Sequence, residues 1–183
     1  MYNTMKELHK LLFGIRRSIR YHTRRRLFFD RLHKLSTFLS ALAGTATVAS
    51  VLAKLPPPWI IAFAVAVAIF SVIDLVVGTA QAARLHHDLA RQFIALEKDL
   101  ISLQEPSQED INRLTGRRLD IEQNEPPPLK VLDSICHNEL LRAMDYPKKD
   151  FVKIYWYQRI LSQFFDIKEY NITKLPTPNE KSG

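Results

Sequence analysis

Two long runs of apolar and small residues interrupt an otherwise densely charged chain. Positions 35–53 hold nineteen residues without Asp, Glu, Lys or Arg, and positions 59–83 hold twenty-five with a single charge, Asp74. A helix needs about 20 residues to cross about 30 Å of hydrocarbon, so each run is long enough to be a span. The second (WIIAFAVAVAIFSVIDLVVG) is the more apolar. The first is rich in Ala, Ser, Thr and Gly, so its own insertion is marginal and it is expected to enter as half of a hairpin. Lys54, Leu55 and three prolines, Pro56, Pro57 and Pro58, are all that separate the runs, and Trp59 follows where an interfacial indole belongs. A buried helical pair in a water-soluble bundle is the competing account. It would leave neither helix a polar face over 49 residues.

The flanking sequence predicts further helices. Leu8, Leu12, Ile15 and Ile19 form a stripe over 4–20 with Arg16, Arg17 and Arg20 off it, and 24–34 is expected to run into the first span. Leu85, Leu89, Phe93, Leu96, Leu100 and Leu103 recur at helical spacing with no breaker after Ala83, predicting one helix from Trp59 to about Gln104, ended by Pro106. Ser107 caps a helix to about Asn124, with Glu109 and Asp110 in its first turn. Pro126–Pro128 make an elbow before helices over roughly 129–144 and 148–166. The last of these would carry Phe151, Ile154, Tyr155, Gln158, Leu161 and Phe165 on one broad face. The sequence contains no strand signal and no internal repeat.

The expected fold class is therefore all-α: a membrane protein with a two-helix transmembrane hairpin and a helical cytoplasmic domain, assembled as an oligomer. Its expected parts are a basic amphipathic N-terminal cytoplasmic helix (1–34), the hairpin (35–83, with spans 35–53 and 59–83 and loop 54–58), the helical cytoplasmic domain (84–170) and a disordered tail (171–183).

Charge distribution orients this arrangement. The mean hydropathy of −0.13 averages over the apolar block and its charged flanks. The net charge of +7 is equally local: residues 1–34 carry ten Lys and Arg against Glu7 and Asp30, leaving the remainder near neutral. With Arg84, Arg91 and Lys98 after the second run and only Lys54 between the two, the positive-inside bias places both termini in the cytoplasm. The first apolar run begins too late for a signal peptide. The lone cysteine, Cys136, excludes an intramolecular disulfide and fits a reducing compartment.

Few residue patterns suggest chemistry. Ser40, Ala43, Thr47 and Ser50 share one face of the first run, and Ser71, Asp74, Gly78 and Gln81 one face of the second. Such stripes are either helix–helix seams or the lining of an aqueous path. Two helices cannot enclose a pore, so a conducting reading requires an oligomer with copies of the stripe facing its axis. A carboxylate within a span costs about 2.5–3.5 kcal/mol, so Asp74 is expected to meet a neighbour's hydroxyl or a hydrated lumen and not lipid. Arg84, about 15 Å further along a helix, is too far to pair with it. Arg16, Arg17, Arg24, Arg25 and Arg26 are candidates for contact with a ligand or with anionic lipid. Phe151, Tyr155 and Phe165 are candidates for a subunit interface.

No metal site, cofactor or enzymatic centre is expected. His86 and His87 are adjacent and point about 100° apart on a helix, which prevents chelation of one ion. Cys136–His137 lacks a visible acid–base partner, and no Gly-rich phosphate loop, HExxH or GxSxG is present.

The basic helical N-terminus, the paired apolar runs and the helical C-terminal half together resemble the SLATT family of two-transmembrane effectors in bacterial conflict systems. The resemblance covers about 5–166 and is carried by ARLHHDLARQFIALEKDL (83–100) and RRLDIEQNEPPPLKVLDSICHNELLRAMDY (117–146). It implies an antiphage effector in the bacterial inner membrane, a homo-oligomeric (expected tetrameric) channel or pore whose action depolarises the cell and arrests growth. The implied signal is a cyclic or linear oligonucleotide made by a partner nucleotidyltransferase. A non-conducting membrane scaffold that recruits a cytoplasmic partner and a membrane-tethered nucleic-acid binder are the alternatives.

Overall fold

The computed structural model describes residues 2–169, without the side chains of residues 2, 3, 46 and 47; the tail expected to be disordered (171–183) lies outside these. The described chain is all-helical, with no strand. The helices are α1 (Tyr2–Ala43), α2 (Ala46–Leu52), α3 (Pro57–Val77), α4 (Thr79–Ile101), α5 (Gln108–Glu122), α6 (Lys130–Ala143) and α7 (Trp156–Leu161), with a 3₁₀ turn at Lys148–Asp150. They belong to two compact units. Residues up to Thr23 with those from Asp88 onward form the first, and Arg24–His87 the second.

In the first unit the two predicted stripes meet. Leu11 and Ile15 of α1 pack with Leu89, Phe93, Leu96 and Leu100 of α4 and with Leu114 and Ile121 of α5, flanked by Leu8, Leu12 and Ile19. Burying each such side chain contributes about 1.5–3 kcal/mol. A satellite cluster of Tyr21, Leu132 and Cys136 ties in α6, and the Tyr21 hydroxyl accepts a hydrogen bond from the Leu129 amide at 2.9 Å. Ser107 caps α5 as predicted. Its Oγ accepts from the Asp110 amide, and the Asp110 carboxylate accepts from the Ser107 amide, each at 3.1 Å, a reciprocal capping box. The hydroxyl also donates to that carboxylate, which holds Asp110 below the usual carboxylate range. The start of α6 is capped from a distance: the Asp166 carboxylate accepts from the Lys130 and Val131 amides at 2.8 and 3.0 Å.

The predicted helix over 148–166 does not form. Pro147 opens a single 3₁₀ turn, and the chain is then extended until the short α7. The Asn138 side chain clamps Val152 at both backbone groups, donating to its carbonyl at 2.7 Å and accepting from its amide at 2.8 Å. The aromatic and β-branched run that follows has weak helix propensity. Buried Gln158 completes the arrangement by accepting from the Tyr155 amide and donating to the carbonyls of Ile167 and Lys168. Phe151, Tyr155 and Phe165 therefore do not share a helix face. Phe151 ends the 3₁₀ turn, Tyr155 caps α7, and Phe165 lies beyond it with its ring exposed.

In the second unit both long apolar runs are interrupted. The first breaks at Gly44–Thr45, where the Thr45 hydroxyl donates to the Leu42 carbonyl and accepts from the Val48 amide, capping α2. The second run does not continue unbroken to Gln104. Gly78 adopts a left-handed conformation (φ 62°) that ends α3, its amide bonded to the Asp74 carbonyl, and α4 starts afresh at Thr79. Among the described residues one helix, α3, is long and apolar enough to cross a membrane: 21 residues, none of them buried.

Candidate functional site

The polar groups of the second unit gather where the basic half of α1 meets the end of α3 and the start of α4. Asp74 sits one turn before Gly78, so its side chain emerges as the apolar surface of α3 ends. There it accepts hydrogen bonds from Thr79, whose hydroxyl the αL turn folds back toward it, and from His33 Nδ1 at 3.0 Å. Thr79 is fully buried, and the Asp74 side chain is 26% exposed. The hydroxyl expected from a neighbouring subunit is thus supplied by the same chain. Further along, Ser36 donates to the Phe70 carbonyl at 3.2 Å and Ser40 meets Ser71 at 3.3 Å. Ser36, three residues after His33, meets Phe70, four residues before Asp74, so these segments run antiparallel, and the Ser face is a seam within the chain.

Beside this cluster lies an open groove of about 310 Å³, lined by Arg26, Asp30 and His33 of α1 and by Ala80, Ala83, Arg84 and His87 of α4. Spacings of four and three on each helix put these residues on facing stripes, and the two alanines leave room between them. Asp30 is bridged by Lys34 at 2.7 Å, which together with Arg26 and His33 holds its carboxyl below the usual range. The Arg25 guanidinium lies 4.4 Å from the Phe29 ring centroid, and buried His86 stacks on the same ring with centroids 5.7 Å apart. His86 and His87 diverge: one is buried against Phe29, the other lines the groove. Among the described residues no three His, Cys, Asp or Glu side chains gather as metal ligands would.

The five candidate arginines divide between the two units. Arg16 and Arg17 belong to the first unit and are held in ion pairs, Arg16 Nε with Glu97 at 2.6 Å and Arg17 Nε with Asp133 at 3.2 Å. Arg24, Arg25 and Arg26 belong to the second, with Arg25 on its aromatic ring and Arg26 at the groove. Asp133 is pushed above the usual carboxylate range by burial, which outweighs the nearby Arg17. Of the stripe residues, Ser40, Ser71, Asp74 and Gly78 come together on the seam side, and the Gln81 amide oxygen approaches Gly78. Ser50 lies in α2, and the Thr47 side chain lies outside the described residues.

Sequence reasoning missed His33, Ser36, Thr79 and Arg84 as members of this region. His33 is 41 residues from Asp74 and its spacing carries no sign of the pairing. Thr79 was accessible, because a Gly four residues past an acid announces a helix end that folds the next side chain back. In the first unit the buried His22, 3.0 Å from Glu125 and stacked on Phe93 at 5.7 Å, gave no sequence signal either. Compared with protein-family models, with curated proteins and with solved structures, the chain has no match.

Proposed function

We propose that the chain is an integral membrane protein of the bacterial inner membrane in which 35–53 and 59–83 cross as a hairpin, with both termini cytoplasmic. The observation that carries this reading is the surface of α3. Leu75 and Val76 are 84% and 77% exposed, and Trp59, Ile61, Ile69 and Val72 are also exposed around the helix. At 1.5 Å per residue, 21 residues reach about 31 Å, the thickness of the hydrocarbon core. Lipid covers such a helix wherever α1 does not pack on it, whereas water would face an apolar patch of a size that stable monomers avoid. Within the second unit Arg26 and Arg84 lie at the groove beside the Asp74 cluster, consistent with a cytoplasmic face there.

On this reading the protein is a non-enzymatic, homo-oligomeric channel effector of antiphage defence, tetrameric and controlled by a cyclic or linear oligonucleotide, as the resemblance to SLATT proteins suggests. Opening depolarises the membrane and arrests the cell. The test is conductance of the purified chain in liposomes, with and without oligonucleotides, alongside Asp74→Ala. Ligand-dependent current altered by that substitution supports the channel. Absence of current under all conditions, with the protein firmly inserted, would favour the second reading. That reading, a non-conducting scaffold, draws on the pairing of Ser40 with Ser71 and of Asp74 with His33 inside one chain, which leaves these groups engaged in a seam.

A further inference from the structure

The groove between α1 and α4 in the second unit is a separate feature from the α3 seam. We infer that it binds a phosphate ester, with the headgroup of an anionic lipid as the occupant its position favours. The lining carries two guanidinium groups, Arg26 and Arg84, one from each helix, and both are exposed. Among the described residues neither is in a hydrogen bond or close ion pair, Arg26 acting on Asp30 only through its charge, whereas Arg16, Arg17, Arg113, Arg117 and Arg118 are all paired. The acid in the groove, Asp30, is already bridged by Lys34, and His33 is engaged by Asp74. The charge left to face the cavity is that of the two arginines, with the His87 imidazole beside them as a further donor.

Guanidinium forks match phosphate oxygens bidentately, and two of them on opposite walls suit a single tetrahedral anion better than a planar carboxylate. The volume, about 310 Å³, lies at the small end of ligand pockets and suits a phosphate with a short polar substituent. The floor is apolar and small, Ala80 and Ala83. The same end of the unit carries the boundary of α3, where the exposed apolar surface stops at Asp74 and Val77. A lipid offers both parts in that order, acyl chains along α3 and a phosphate at the arginines. The lipid assignment rests on the membrane reading above; the anion site itself rests on the groove.

The experiment uses the full chain purified in detergent micelles, with native mass spectrometry counting bound phosphatidylglycerol or phosphatidylcholine and calorimetry following inorganic phosphate. The variant is Arg26→Ala/Arg84→Ala, and Lys148→Ala/Lys149→Ala removes the same charge from the first unit as a control. Wild type should retain phosphatidylglycerol over phosphatidylcholine. The arginine variant should bind it at least about tenfold more weakly, the loss expected from one charge-assisted hydrogen bond or more. The lysine control should bind as wild type. Equal retention by the arginine variant, or an equal loss in the lysine control, would overturn the site. Displacement of the lipid by inorganic phosphate, or phosphate binding that needs both arginines, supports the anion site with a soluble phosphate ester as its source; lipid binding that phosphate does not displace supports the headgroup. Carbonate washing of native membranes reports on insertion independently. A chain that resists the wash while its arginine variant binds lipid normally would sink the groove and leave the membrane reading standing.

Discussion

Replacing Val65 and Ile69 by lysine separates lipid from water as the medium around α3. Both lie near the middle of the helix, one turn apart, and are 49% and 52% exposed. Between Pro57 and Val77 there are twelve Leu, Ile, Phe and Val residues. At about −0.3 to −0.6 kcal/mol each, these favour insertion by roughly 4–7 kcal/mol. Asp74 opposes this only weakly because it lies near the end of α3 and is hydrogen-bonded by Thr79 and His33. Each lysine near the centre adds about 2.5–3.5 kcal/mol and removes the contribution of the residue it replaces, so the pair shifts the balance by roughly 6–8 kcal/mol. That is enough to cancel the driving force of the helix, whereas one lysine alone leaves insertion marginal. In water the same positions face solvent, and two lysines would change stability by no more than about 0.5 kcal/mol each.

The assay is the fraction of chain remaining with carbonate-washed membranes, for wild type, each single variant and the pair. An Ile160→Lys variant, at an exposed apolar site of the first unit, serves as the control. The expected order is wild type and control retained, singles partly retained, the pair released or degraded. A pair retained like wild type, or a wild type released by carbonate, would refute the reasoning.

Other substitutions probe the interior. Gly78→Ala forces a side chain into a left-handed conformation and against the Gln81 amide oxygen 3.2 Å away, so thermal stability in detergent should fall by about 1–2 kcal/mol. Gly44→Ala, where an added Cβ meets only ordinary contacts at 3.7 Å, should be near neutral or stabilising. Leu114→Ala in the first-unit core should cost about 2–5 kcal/mol in a denaturation experiment, against about 0.5 or less for the exposed Leu119→Ala. Because burial raises Asp133, the folded chain holds its proton more tightly than the unfolded chain, and the associated stability is present at acid pH and lost as pH rises through the raised value. Asp133→Asn should therefore gain on wild type between about pH 4 and pH 7 when unfolding is followed at each pH. A difference that stays constant across that range would mean that burial does not govern this carboxyl.

The elements that sequence predicted well are those whose signal is local. The stripe Leu8–Leu12–Ile15–Ile19 and the run Leu85–Leu89–Phe93–Leu96–Leu100–Leu103 each repeat on one helix face, and all but Leu85, which is exposed, went into or against the first-unit core. Ser107 with Asp110 is a cap written in four consecutive residues. The failures have two kinds of cause. At Gly78 a local signal was present and outweighed by the apolar run on either side, because a run of that length reads as continuous helix unless the left-handed preference of Gly is given priority. Over 148–166 the deciding groups were remote. Asn138 fixes Val152 in extended geometry and Asp166 is drawn back to the start of α6, so tertiary hydrogen bonds overrode a face pattern that looked helical.

The groove and the Asp74 cluster show where one-dimensional reading stops and how little would extend it. Face arithmetic grouped Ser40 with Thr47 and Ser71 with Asp74, but it gives no register between helices, so an acid at 74 could not be assigned a partner at 33. One cross-helix pair supplies that register. With His33 against Asp74 on antiparallel segments, Ser36 falls near Phe70, as its hydrogen bond shows, while Ser40 reaches about one turn back along α3 to meet Ser71. Past Gly78 the groove is walled by the next stretch back along α1, Arg26, Asp30 and His33, and by the first turns of α4, Ala80, Ala83, Arg84 and His87. The seam and the groove therefore lie along one length of α1, with His33 at their junction. A substitution that strains the seam from outside the groove, such as Ser36→Leu, should disturb lipid binding at Arg26 and Arg84 although it touches neither, and lipid retention unchanged in that variant would mean the packing of the two segments is held by apolar contacts alone.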